Sequence, residues 1–169
     1  MVTKLYIDAD ACPVTREALA AARVQGVPCI IAGNSTQNLE RYIHASDPRE
    51  PQDPSRPDRG FWVDTIQVGV GADSADFAIA SAVTPADVVV TQDIGLADIV
   101  LGRGARAIGV RGHVYNPLTI DSMMFIRHEE KKVRRAGGRT KGPAAFTDED
   151  RERFSHNLAR LLREAHQAG

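Results

Sequence analysis

A chain of 169 residues, 43% of them hydrophobic and 25% charged, can bury a core of its own, which excludes a disordered tail or a metal-stapled miniprotein. Its two cysteines, Cys12 and Cys29, exclude a disulfide framework and a paired-cysteine zinc site. The net charge is only −1, but its distribution is uneven: Arg127, Lys131, Lys132, Arg134, Arg135, Arg139 and Lys141 crowd one stretch against Glu129 and Glu130 alone.

In chain order, Lys4–Ile7 reads as a first strand that ends in Asp8-Ala9-Asp10-Ala11-Cys12-Pro13. Pro13 suits the first turn of a helix, where its missing N–H is not needed. That helix is expected to bury Val14, Ala18, Leu19, Ala22 and Val24 before Gly26 stops it. Val27–Ala32 reads as a second strand, Gly33-Asn34-Ser35 as its exit, and Asn38–Ala45 as a short helix. From Asp47 to Gly60, prolines at 48, 51, 54 and 57 stand among charges, the composition of an exposed loop with polyproline II character. Phe61–Val70 alternates as a third strand, and Ala72–Val83 is helical, entered at Asp73. Asp87–Thr91 is a β-branched run suited to a strand covered on both faces, exiting at Gln92-Asp93. A helix over Leu96–Leu101, a strand over Arg106–Val110 and a longer helix over Leu118–Arg135 follow. Gly137–Pro143 is a glycine-rich break. The last helix opens at Thr147 with Asp150 three residues on, and places Phe154, Leu158, Leu161, Leu162 and Ala165 on one stripe.

This alternation of strands and helices predicts a three-layer α/β fold around a mainly parallel five-stranded sheet. It is expected to form one domain over residues 1–169: an α/β core over 1–115 with its exposed loop at 47–60, and a helical extension over 116–169 carrying the basic glycine-rich loop at 137–143. No signal peptide and no long apolar run are evident, so the expected setting is the cytoplasm, with no membrane partner.

In a parallel sheet every strand ends at the same edge. Asp8 and Asp10 follow the first strand, Asp73 and Asp76 open the helix after the third, Asp93 follows the fourth, and Asp98 lies about a turn further on. If the first and fourth strands are neighbours, their tips lie only about 4.8 Å apart. Carboxylates this close raise one another's pKa unless a cation neutralises them, and oxygen-only ligands favour Mg²⁺ or Mn²⁺. Each acid also has a structural use. Asp8 or Asp10 can cap the helix at Pro13, Asp93 can cap its own, and Asp73-x-x-Asp76 resembles a capping box. Asp64 and Asp87, away from that edge, read as structural. Cys12 sits at a helix start, but Asp8 and Asp10 oppose its thiolate, so it is not read as a nucleophile. Arg134, Arg135, Arg139 and Lys141, with the backbone of Gly137, Gly138 and Gly142, read as a phosphate-binding tail rather than only a solvated helix end.

Asp8-Ala9-Asp10-Ala11-Cys12-Pro13, Gly71-Ala72-Asp73-Ser74-Ala75-Asp76, Thr91-Gln92-Asp93, Arg111-Gly112 and Gly137–Pro143 resemble the YaiI/YqxD family of bacterial proteins over nearly the whole chain. That family is regarded as part of the wider PIN-like group of metal-dependent nucleases. The resemblance implies acids at Asp8, at Asp73 or Asp76, at Asp93 and at Asp98, with Asp10 as an added ligand. The proline-rich loop is longer than the family pattern.

The leading expectation is thus a Mg²⁺- or Mn²⁺-dependent phosphodiesterase acting on nucleic acid, RNA ahead of DNA. Asp8, Asp10, Asp73, Asp76 and Asp93 are its catalytic candidates; Asp8, Asp10, Asp76, Asp93 and Asp98 its metal ligands; Arg111, Arg134, Arg135, Arg139 and Lys141 its phosphate contacts. Two alternatives stand beside it. One is a metal- or nucleic-acid-binding module without turnover. The other is a phosphatase using Asp8 as nucleophile, with Asp10 and Ser35 nearby; the absence of lysine between Lys4 and Lys131 counts against that.

Overall fold

Five short apolar runs pair side by side because each can be covered on both faces. A computed structural model describes residues 2–34, 37–43, 60–69, 74–140, 142 and 144–168. Ser35, the loop over 47–59, Asp73 and Lys141 lie outside the described residues. The strands are β1 (Leu5–Asp8), β2 (Cys29–Asn34), β3 (Val63–Val68), β4 (Val88–Val90) and β5 (Arg106–Ile108). The helices are α1 (Thr15–Gln25), α2 (Glu40–Ile43), α3 (Ser74–Ala82), α4 (Ile94–Gly102), α5 (Ile120–Arg135) and α6 (Asp148–Ala168). The sheet order is β3-β2-β1-β4-β5 and all four pairings are parallel. An isolated antiparallel bridge joins Ile108, the last residue of β5, to Val114.

Alternation along each strand sends side chains to two cores. Leu5, Ile7, Cys29, Ile31, Val88, Val90 and Ile108 face α1 and α6, where they meet Val14, Ala18, Phe154, Leu158 and Leu162. Tyr6, Ala32, Val89 and Ala107 face the other way, onto Ile79 of α3, Leu96, Ala97 and Val100 of α4, and Ile120 of α5. Helix α6 carries the expected stripe, and all five of its named apolar residues are buried. Its start is a reciprocal cap: the Asp150 amide donates to Thr147 Oγ1 at 3.2 Å, and the Thr147 amide to Asp150 Oδ2 at 3.0 Å.

Some local expectations move. Val24 is 81% exposed, because the buried positions Val14, Ala18 and Ala22 recur every fourth residue and Val24 falls on the opposite face. Gly33 and Asn34 do not turn out of β2 but extend it, in register with Gln67 and Val68. The fifth strand stops at Ile108, after which Gly109 and Gly112 close a turn. Among the described residues, no helix is long and apolar enough to cross a membrane.

Candidate functional site

Strand order determines where a cleft opens. β1 leads into α1 on one face of the sheet, while its neighbour β4 leads into α4 on the other, so the chain parts between their C-terminal ends. A cleft of about 580 Å³ lies there, lined by Asp8, Asp10, Asp76, Asp93, Gln37, Gln92 and Arg127 among others.

Asp8 is the last residue of β1 and only 5% exposed. One carboxylate oxygen accepts the Asp10 amide at 3.2 Å and the other the Thr91 hydroxyl at 3.0 Å. Thr91 in turn accepts the Asp93 amide at 2.9 Å, so one buried hydroxyl ties both acidic turns together. Burial nonetheless pushes the Asp8 pKa up, and the charges of Asp10 and Asp93 add to the shift.

Asp93 is the N-cap of α4, its Oδ1 accepting the amides of Gly95 at 2.8 Å and Leu96 at 3.3 Å. Arg127 reaches the same oxygen from α5 at 3.2 Å. Burial alone would raise its pKa. Hydrogen bonding with the Asp76 carboxyl, the Leu96 and Gly95 amides and Arg127 together outweigh burial, and the pKa falls.

The turn over Asp10 is held in an unfavourable shape. Ala11 has φ of 49°, a left-handed conformation costing a non-glycine residue roughly 1–2 kcal/mol. Its carbonyl accepts the Gln92 side-chain amide, and the Ala9 carbonyl accepts that of Gln37 at 3.0 Å. Strain of this kind persists where neighbours over-determine the backbone, here from the turns after β2 and β4.

Four of the expected acids, Asp8, Asp10, Asp76 and Asp93, therefore line one cleft; Asp98 is not among its lining residues, and Asp73 lies outside the described ones. Asp64 is exposed on β3, and Asp87 is buried at the opposite edge, where it accepts the amides of Lys4 and Thr84. Among the described residues, no three Asp, Glu, His or Cys side chains converge as a ready-made metal cage. A hard ion such as Mg²⁺ needs only one or two carboxylates and keeps several waters, a requirement the adjoining Asp76 and Asp93 carboxyls fit. A hydrogen bond between two carboxyls also needs a proton, which a divalent cation can replace.

The expected cations distribute differently. Arg111 directs its guanidinium to Asp150 at 2.9 Å and to the carbonyls of Ala144 and Ala145, seating the segment before α6. Arg134, Arg135 and Arg139 are exposed, and Lys141 lies outside the described residues. Among the described residues, the cation lining the cleft is Arg127, which the sequence showed only as the first of a basic run. Its signal was its place one helical turn or more ahead of the others, on the part of α5 that packs near α4. Thr91 was legible only as the end of a strand.

Fold and site together define an all-parallel, doubly wound α/β protein that gathers carboxylates where its strand order reverses. Residues 52–164 match the family model described as uncharacterized BCR, YaiI/YqxD family. The chain is 35% identical over 161 residues to a UPF0178 protein of Exiguobacterium sibiricum, covering 95% of this chain and 97% of that protein. It is likewise 35% identical over 151 residues to a UPF0178 protein of Bacillus anthracis (89% and 92%) and 33% over 161 residues to one of Staphylococcus saprophyticus (95% and 94%). This chain belongs to the YaiI/YqxD, or UPF0178, family.

Proposed function

We propose that the chain is a Mg²⁺- or Mn²⁺-dependent phosphodiesterase of the PIN-like kind, acting on nucleic acid, RNA ahead of DNA. The observation that carries this reading is the meeting of Asp8, Asp10, Asp76 and Asp93 in one cleft, with Asp8 buried and its pKa pushed up. An accumulation of negative charge in a recess, unmatched by an equal number of cations, favours a divalent guest. Asp76 and Asp93 would hold the ion, with Asp8 and Asp10 lining the same cleft; Asp73 and Asp98 are further candidate ligands. When bound, such an ion supplies charge neutralisation and Lewis acidity at phosphorus.

The chain's own residues do the rest. Asp8, held in place by the Thr91 hydroxyl and with its pKa raised by burial, is placed to accept a proton from an attacking water. Arg127 supplies positive charge on the α5 side of the cleft. Arg134, Arg135, Arg139 and Lys141 supply attraction for the rest of the polyanion, and Arg111 holds the segment before α6. The whole chain from 1 to 169 acts as one cytoplasmic domain in this reading.

A binding module without turnover is the second reading. It is favoured by the commitment of Asp93 Oδ1 to its helix cap and to Arg127.

The test is a Mn²⁺ titration of wild type and Asp93→Asn, read by thermal melting and by cleavage of single-stranded and structured RNA. Saturation at a hundredfold above Kd should add about 2.7 kcal/mol to the wild type, roughly 5–10 °C in Tm for a chain of this size. The variant should lose both that gain and cleavage. Equal metal-induced stabilisation in the variant sinks the metal assignment; stabilisation without cleavage selects the binding module.

A further inference from the structure

Helix α5 is built differently from the other long helices. Ile120 is its only fully buried residue, and every residue from Phe125 to Arg139 is exposed. A helix gains most of its stability from packing an apolar face, so three turns standing in solvent are unusual. Its first half is fixed to the body: Met123 packs against the core formed with α4, and Arg127 ion-pairs with Asp93 at 3.2 Å.

Arg127, Lys131 and Arg134 follow one another at i, i+4 and i+7, which puts them on a single face of the helix. At 1.5 Å per residue they lie about 6 and 10 Å apart along the axis from Arg127 outward. The face begins at the carboxylate cleft and runs away from it. Glu130 lies at its border, and Glu129 is turned away and paired with Lys132 at 3.4 Å. Phe125 lies on the opposite side and Ile126 and Val133 on one flank, about 100° around the helix from Arg127 and Arg134 respectively, so no phenyl ring joins the cationic row as a base-stacking platform.

We propose that this face of α5 is the track along which a single-stranded phosphodiester backbone reaches the aspartate cleft, with Arg127 as the phosphate contact nearest the acids. The inference rests on the reading of the cleft as a phosphodiester site and names its substrate class. One row of cations, widened at its far end by Arg135, matches one backbone, whereas a duplex presents two. The row runs past the end of the cleft, so it engages phosphates on one side of the point of attack. Lacking groups aimed at base edges, it binds without sequence preference.

The experiment measures fluorescence anisotropy of labelled 12-nucleotide RNA and DNA single strands, and of the matching duplexes, at several salt concentrations in EDTA. Removing divalent ions separates this surface from the metal site: loss of the track appears here, whereas failure of the metal reading appears in the Mn²⁺ titration. Lys131→Glu and Arg134→Glu should each weaken single-strand binding about tenfold, the size of one charged hydrogen bond. Each should also flatten the salt dependence by about 0.7 in log–log slope. Lys132→Glu makes the same change of charge about 140° around the helix and should stay within about threefold of wild type. Equal weakening by Lys132→Glu, unchanged binding in the other two, tighter binding of duplex, or no binding by the wild type would each overturn the proposal. All three positions are exposed, and unchanged melting temperatures verify that the fold is retained.

Discussion

Replacing Thr91 with valine keeps the shape of the side chain and deletes one oxygen on which two acidic turns depend. That hydroxyl donates to Asp8 Oδ2 at 3.0 Å and accepts the Asp93 amide at 2.9 Å, in a residue with no exposed surface. Its loss leaves a buried carboxylate short of one donor, worth about 1.5–3 kcal/mol, and orphans a part-buried amide at up to about 1–3 kcal/mol. The valine methyl recovers roughly 0.8 kcal/mol of apolar burial. Because the two losses share one group they do not simply add, and the expected net destabilisation is about 2–3 kcal/mol. Urea unfolding at pH 7 measures it directly. Thr91→Ser is the control, since it retains the hydroxyl and gives up one methyl, at about 1 kcal/mol. The Thr91 hydroxyl also lowers the Asp8 pKa, so its removal pushes that pKa further up. If Thr91→Val is as stable as Thr91→Ser, the hydroxyl does not hold the two turns together and the reasoning fails.

Gly112 has φ of 90°, and a Cβ there would sit 2.7 Å from the Arg153 carbonyl carbon and the Phe154 amide nitrogen of α6. Gly112→Ala combines a left-handed penalty with backbone overlap and should cost about 2–4 kcal/mol in urea unfolding; a change under about 0.5 kcal/mol would mean α6 is not seated there. Asp150, whose pKa is lowered chiefly by the Thr147 amide and further by Arg111 and Arg153, stabilises the fold above its ordinary value of 3.8 and loses that contribution as pH falls through the lower folded value. Asp150→Asn should therefore reduce stability at neutral pH and flatten the acid limb of a urea-midpoint profile, whereas a curve parallel to wild type contradicts the sign.

The features that sequence displayed best are those decided locally or by topology. The α6 stripe follows from spacing and a cap four residues long. The meeting of Asp8 with Asp93 follows from parallel strands ending at a common edge, once β1 and β4 are neighbours. What escaped was tertiary. Arg127 enters the cleft because α5 packs near α4, and only its earlier place on the helix sets it apart from Lys131 or Arg134. Arg111 lies in the turn after the fifth strand, yet pairs with Asp150, 39 residues away. Val24 misled because an apolar residue near a helix end need not face the core, and the exit at Gly33-Asn34 misled because a partner strand can carry turn-forming residues onward.

The two faces of the sheet close at different times. Packing on the α3 and α4 side needs residues no later than Ile120 for its buried core, whereas the opposite face waits for Phe154, Leu158 and Leu162 of α6. During synthesis the five strands leave the ribosome well before their second cover does. A nascent chain with its sheet assembled but α6 still in the exit tunnel exposes Leu5, Ile7, Val88 and Val90 wherever α1 does not reach them. The order of elements thus gives this protein an interval in which it is compact on one side and adhesive on the other, when chaperone capture or aggregation would compete with completion of the fold.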